Sequence, residues 1–224
     1  MERTQCVYFS VWDLWAVEGT NSSQRSYAEW CIRTCMSDVS FPRGPTQRCS
    51  TSNIIVRWNT PPPGAVKLNF DGSLSHSSAA GGFIIRNWSG HLIKAGAAHY
   101  GESSILIAEA RALRDGVKVV AELRVKHLFI EGDNATVIWA LRGDISSPWT
   151  IAAVIQDVLI WLSTMIFVFI SHVYREANMV ADWLAKAGQT MFHSKISWET
   201  SPPQELGDIM VADRIGRALV RRDV

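Results

Sequence analysis

The sequence predicts an α/β domain: a mixed five-stranded sheet in the order βββαβααβα, flanked by helices. Three observations carry that reading. Apolar and polar residues alternate from residue 66, apolar residues recur at helical spacing from residue 105, and short apolar runs then alternate with helical patterns as far as residue 188. With 224 residues, 47% of them apolar, the chain has ample material for one core with substantial flanks.

The first element is "VKLNFDGS", in which Val66, Leu68 and Phe70 face one way and Lys67, Asn69 and Asp71 the other. This strand is expected to end at Asp71, in a turn at Gly72 and Ser73. "GGFIIRNWSGHLIKAGAAHYG" supplies two further strands around the turn "NWSG" at 87–90, and three strands in succession pair most simply as antiparallel neighbours. "SSILIAEARALRDGVKVVAELRV" then places Ile105, Ala108, Ala112, Leu113, Val117, Val120 and Leu123 at helical spacing, with Ser103 or Ser104 as the N-cap. "HLFIEGD", stopped by Gly132 and Asp133, reads as a buried strand. "NATVIWALRG" and "TIAAVIQDVLIWL" read as two helices, "FVFISHVYRE" as the last strand, and "NMVADWLAKAG" as a short helix closed by Gly188. Trp139, Trp161 and Trp183 fall in these helices and are expected in the core.

Before this regular region, residues 1–60 show no sustained periodicity, and "NTPPPGA" at 59–65 is a stiff, extended boundary. The expected division is therefore an N-terminal extension at 1–60, a domain at 61–190, and a tail at 191–224 with a final helix within "QELGDIMVADRIGRALV". All four cysteines, Cys6, Cys31, Cys35 and Cys49, lie in the extension, so the domain has no disulfide framework. Only Cys31 and Cys35 are closely spaced, and no histidine precedes His76 to complete a familiar zinc pattern.

A net charge of +1 gives no overall pull toward nucleic acid, so any polyanion must be held by a local site. The longest apolar run, Val158 to Ile170, is shorter than the roughly 18 residues of a membrane span. Asp13 interrupts the N-terminal apolar patch, and no small-residue cleavage site follows it. The expectation is an intracellular protein, nuclear or cytoplasmic, with no membrane partner and no disulfide-linked partner.

Four carboxylates stand out. Glu109 shares a helical stripe with Ile105, Ala112 and Leu113, where a carboxylate is costly unless it is paired or binds a cation. Asp115 and Glu122 suit the solvated face instead. Asp71 and Asp133 each end a largely apolar strand, so neighbouring strands would bring both acids to one rim of the sheet. Asp182 falls in the first turn of a helix, where the helix dipole alone favours it. Oxygen-only donors from two strands and two helices suit Mg²⁺ or Mn²⁺. Two such ions about 4 Å apart could activate water for phosphodiester cleavage.

"VKLNFDGS", the "GGFIIRNWSG" hairpin, "AEARAL", "IEGDN" and "HVYREANMVADWLAKAG" together resemble the type 1 ribonuclease H domain. The resemblance is to the branch associated with plant non-LTR reverse transcriptases and their domesticated copies, and it runs from about Pro61 to Gly188. It implies a ribonuclease H-like fold and hydrolysis of the RNA strand of an RNA:DNA hybrid; separately, a monomer is the expectation for the chain. By the same resemblance Asp71, Glu109, Asp133 and Asp182 are both catalytic and metal residues, holding two Mg²⁺ (or Mn²⁺) ions. Asp71 and Asp133 would be the central ligands, Glu109 would join one ion and the ribose 2′-OH, and Asp182 would complete the second site. Ser73, Asn134, Arg175 and Asn178 are the candidate substrate contacts, although Arg175 and Asn178 equally suit fixing the strand-to-helix turn.

The sequence also departs from the bacterial members of that family. "SLSHSSAA" replaces their glycine-rich loop, "VYREAN" lacks their loop histidine, and "RGDISSPWT" leaves no room for their basic protrusion. His172 is expected to be a satisfied structural histidine within its strand. Trp12, Trp15 and Trp30 raise the possibility of base stacking. Two other readings therefore stay open: a weak or inactive retroelement-derived module that binds nucleic acid or protein, and DNA cleavage by a related integrase-type fold.

Overall fold

The computed structural model describes residues 7–9, 53–190 and 195–222. Cys6, Cys31, Cys35 and Cys49, with Trp12, Trp15 and Trp30, lie outside these residues. Nine strands are present among the described residues: β1 (Val7–Phe9), β2 (Asn53–Val56), β3 (Val66–Ser75), β4 (Ser78–Asn87), β5 (Leu92–Glu102), β6 (His127–Gly132), β7 (Phe167–His172), β8 (Lys195–Trp198) and β9 (Leu219–Arg222). Five α-helices join them: α1 (Ile105–Glu122), α2 (Ala135–Arg142), α3 (Ala152–Leu162), α4 (Met179–Gln189) and α5 (Gln204–Arg214).

The five expected strands form the middle of a seven-stranded mixed sheet, ordered β1-β7-β6-β3-β4-β5-β8. β1, β7, β6 and β3 run parallel, whereas β3, β4, β5 and β8 alternate in direction. Strands β2 and β9 make a separate antiparallel pair, with Ile54 opposite Arg221 and Val56 opposite Leu219.

Alternation along β4 supplies both layers of the core. Ile85 joins Leu68, Phe70, Leu113, Val117, Ile138 and Val158 beneath α1, α2 and α3, while Ile84 joins Val180, Leu184 and Leu206 beneath α4 and α5. Ser104 caps α1 by accepting from Ile107 N, and Asn134 caps α2 by accepting from Val137 N.

The structure corrects four local expectations. Strand β3 does not end at Asp71: it continues to Ser75 because Asp71, Gly72 and Ser73 still pair with Gly82, Gly81 and Ala80, and the turn falls at His76 and Ser77. Gly188 does not close α4, which runs on to Gln189; the bare Cα lets the helix lie against Ala98 O and Ala80. Asp115 is buried, not solvated, and accepts from the Tyr100 hydroxyl at 3.2 Å and from Lys195 Nζ at 2.7 Å. Trp139 is 45% exposed because α2 turns Val137, Ile138, Ala140 and Leu141 inward. Trp161 and Trp183 are partly buried and pack on the core clusters.

A buried polar network ties the segment before β3 and the last helix to the sheet. The Arg86 guanidinium is 1% exposed and stacks on Trp58 at 3.5 Å. It donates to Asp213 of α5 at 2.7 Å and to Asn69 at 3.1 Å. Beside it Lys67 pairs with Glu131 and donates to Asn59 O.

Candidate metal centre

The site grows from a fork in the sheet. β3 and β6 run side by side only as far as Asn69 opposite Glu131. Beyond that point β3 keeps its pairing with β4 alone, and Asp71 and Asp133 stand on the two prongs. Glu109 comes in from the second turn of α1, and Gly72 permits its approach: a Cβ there would lie 2.6 Å from Glu109 N and 2.9 Å from its Cγ. Any larger residue after Asp71 forces the strand and helix apart.

Asp71, Glu109 and Asp133 each offer an oxygen, and these ligand atoms all lie within 4.8 Å of one another. Asp71 and Glu109 are buried. Glu109 Oε2 and Asp133 Oδ1 are shielded from solvent and have no hydrogen-bond partner. Such orphaned acceptors are costly, and a cation between them would satisfy both.

Electrostatics point the same way. Burial, and then repulsion from Glu109, Asp133 and Asp182, pushes the Asp71 carboxyl up to about 10. Burial and Asp133 push Glu109 up to about 8, against the stabilising hydrogen bonds of the Asn134 side chain and the Gly72 N–H. Asp71 and Glu109, crowded in this way, favour their protonated forms until a positive charge replaces the protons. Oxygen-only donors suit a hard divalent cation, so the residues present fit Mg²⁺ or Mn²⁺.

Asp182 lies near enough to raise Asp71 but stands outside the trio. Its oxygens are taken: Arg175 donates to Oδ1 from Nε at 3.1 Å and from Nη2 at 2.5 Å, and Lys186 donates to Oδ2 at 2.6 Å. The carboxylate is buried while the two cationic side chains are about 60% exposed, at 61% and 58%. The fourth acid therefore presents a pair of cations at the edge of the triad.

The candidate substrate contacts divide. Arg175 is exposed beside the triad. Asn134 is shared between the α2 cap and Glu109. Ser73 lies two residues beyond Asp71 in β3, and its carbonyl accepts from Gln189 at 2.9 Å. Asn178 turns inward: it is 1% exposed and donates to Phe70 O at 2.8 Å, fixing α4 to β3 directly behind Asp71. His172 is exposed at the end of β7, not packed within it, and its Nε2 lies 3.0 Å from Asp133 O.

Sequence reasoning passed over Lys186, Gln189 and Gly72. The four-residue spacing of Asp182 and Lys186 on one helix is a legible signal. Gln189, which also donates to Ser78 O at 3.1 Å, has no local signature, because its partners are more than a hundred residues away.

The sheet, its helices and this acidic rim define a ribonuclease H-like domain. The chain belongs to the reverse transcriptase-like family, whose sequence model matches residues 69–188. A protein of Arabidopsis thaliana named for ribonuclease H is 26% identical over 170 residues, 75% of this chain. The chain spans 27% of the length of that relative. Among solved structures, ribonuclease H1 of the archaeon Halobacterium salinarum superposes with a TM-score of 0.53 at 24% identity, covering 55% of this chain and 96% of that one. The N-terminal ribonuclease H domain of a Mycobacterium tuberculosis protein gives 0.54 at 18% identity, over 56% and 93% of the two chains. LC11 ribonuclease H1, solved in complex with an RNA/DNA hybrid, gives 0.51 at 18% identity, over 55% and 96%. At these identities the likeness is one of fold. Among the described residues, no helix is long and apolar enough to cross a membrane.

Proposed function

We propose that this chain is a divalent-metal-dependent endonuclease that hydrolyses the RNA strand of RNA:DNA hybrids. The observation that carries the reading is the triad of Asp71, Glu109 and Asp133, whose ligand atoms lie within 4.8 Å and include two buried, unpartnered oxygens. These three residues would hold the metal, with Asp182 on the flank completing a second position. When bound, two Mg²⁺ or Mn²⁺ ions supply Lewis acidity and an activated water for in-line displacement at phosphorus.

The chain's own residues do the rest. Gly72 and Asn134 keep Glu109 against Asp71, and Asn178 fixes the strand behind them. Arg175, exposed and held on Asp182, would contact a backbone phosphate, for which planar paired donors are effective. Glu109 would be the group that reads a ribose 2′-OH and so distinguishes RNA from DNA. Asn134 and Ser73 line the same rim as polar contacts. The reading goes with a monomeric protein at work in the nucleus or cytoplasm.

Two observations favour a second reading, a retroelement-derived module that binds nucleic acid or protein without cutting. Both oxygens of Asp182 are occupied by cations of the chain itself, and the net charge of +1 provides no general grip on a polyanion. The deciding experiment incubates the full chain and its Asp71→Asn variant with a labelled RNA:DNA hybrid, an RNA duplex and a DNA duplex, in Mg²⁺ and in Mn²⁺. Cleavage confined to the hybrid and lost in the variant is expected. Hybrid binding without cleavage in either metal means that the module reading is correct.

A further inference from the structure

Strand β9 lies beyond the residues matched by the family, yet its Arg221 reaches the loop that carries Arg175. We infer that Arg221 is a positioning residue for the site: it braces the turn between β7 and α4 from behind and so keeps Arg175 on Asp182. The inference rests on the proposed nuclease reading only for its effect on substrate, not for the brace itself.

The argument begins with the β2–β9 pair. Register places Ile54 opposite Arg221 and Val56 opposite Leu219, so these four residues share one face, and Ile55 and Val220 share the other. Ile55 and Val220 are 64% and 60% exposed, whereas Val56 is buried and Arg221 half-buried. Arg221 is thus on the inward face. Its guanidinium lies over the Tyr174 ring at 4.3 Å and 3.5 Å from Glu176 Oε2, a buried oxygen with no hydrogen bond of its own.

Tyr174 and Glu176 are the two neighbours of Arg175 in the chain. Fixing both leaves the intervening residue little freedom, and Arg175 then reaches Asp182 with two of its nitrogens. A second path runs from Tyr174, whose ring meets His172 edge-on at 6.2 Å, to the Asp133 carbonyl that His172 contacts. One tail residue therefore bears on the segments that carry two of the four acids. Its planar, delocalised charge suits a task that combines stacking with a charge pair, which lysine performs poorly.

The test uses the full chain and three variants, Arg221→Ala, Arg221→Lys and Glu176→Gln. Amide hydrogen exchange in metal-free protein is followed for the peptide spanning 172–178, with the α1 peptide as the control for global folding. Arg221→Ala is expected to speed exchange at 172–178 about 3- to 10-fold, and each of the other two by less, with α1 unchanged. In hybrid cleavage Arg221→Ala is expected to raise KM about 3- to 10-fold with kcat within about twofold of wild type, because the variant loosens a phosphate contact and leaves the triad intact. Unchanged exchange at 172–178 in all three variants, or equal acceleration at α1, overturns the brace even if wild type cleaves hybrid. Faster exchange confined to 172–178 in a chain that cleaves nothing upholds the brace and rejects the nuclease reading.

Discussion

Lys186 donates to Asp182 Oδ2 at 2.6 Å from one turn further along the same helix, while Arg175 holds Oδ1. The pair makes Asp182 a neutralised flank to a triad of carboxyl groups. Replacing Lys186 by Met removes a positive charge from beside the metal position. Calorimetric titration with Mn²⁺ is expected to show affinity about 3- to 10-fold tighter than wild type. The metal-free fold should lose no more than about 1 kcal/mol, since the lysine is largely exposed. Weaker Mn²⁺ binding would show that Lys186 supports the site in some other way.

Asp71→Asn separates stability from activity. The substitution removes one crowded carboxyl, and at pH 8 the metal-free protein is expected to gain about 1–3 kcal/mol, read as a higher Tm. Hybrid cleavage should fall by about 100-fold or more. A variant both less stable and less active would mean that Asp71 is structural.

The pH dependence of the metal-free chain runs against the usual carboxylate pattern. Asp71 and Glu109 titrate at about 10 and about 8 in the folded protein, above their ordinary 3.8 and 4.5. Between those limits the folded state binds more protons than the unfolded one. Their contribution to stability is complete below pH 4 and is lost as pH rises through 8 to 10. Thermal unfolding in a chelator should therefore show Tm declining from pH 5 to pH 9. Saturating Mn²⁺ should raise Tm more at pH 8 than at pH 5, because protons compete less with the cation at the higher pH.

Asp213 is the counter-ion of a guanidinium that is 1% exposed, so Asp213→Ala strands a buried charge. The expected loss is about 3–5 kcal/mol, a Tm drop of about 6–20 °C, measured by calorimetry. The double variant Arg86→Met with Asp213→Ala should recover much of it. Equal losses in the single and double variants would locate the cost in α5 packing, not in the charge.

Gly72→Ala tests the approach of β3 to α1. A methyl group 2.6 Å from Glu109 N must move the helix, the strand or both. Mn²⁺ affinity is expected to fall at least about 10-fold while the far-ultraviolet circular dichroism spectrum is retained. Unchanged affinity would mean that Glu109 is not needed in the metal position.

Much of this arrangement was legible in the chain because the core enforces it. Leu68 and Phe70 alternate with Lys67, Asn69 and Asp71, and Glu109 sits on an apolar helical stripe, so both acids announce themselves by violating or bounding a pattern. What escaped has a common cause. Gly72 and Ser73 carry no apolar signal, so the continuation of β3 is visible only in its pairing with Gly81 and Ala80. Asp115 looks solvated on its own helix because its partner Lys195 lies 80 residues away. Trp139 shows that an aromatic residue in a short helix follows the helix's rotation and not its own hydrophobicity. Ser73, Asn134 and Asn178 are alike in polar chemistry, and only the bond from Asn178 to Phe70 O, more than a hundred residues away, turns that side chain inward.

Register in β3 has a consequence for how the site can fail. A slip of one residue against β4 or β6 would send Asp71 into the apolar layer and drive Phe70 out of it. Packing thus proofreads chemistry: any chain that buries its core correctly has already set the first carboxylate at the fork. Drift in the surrounding loops cannot move Asp71 off the fork without unpairing the strand that bears it.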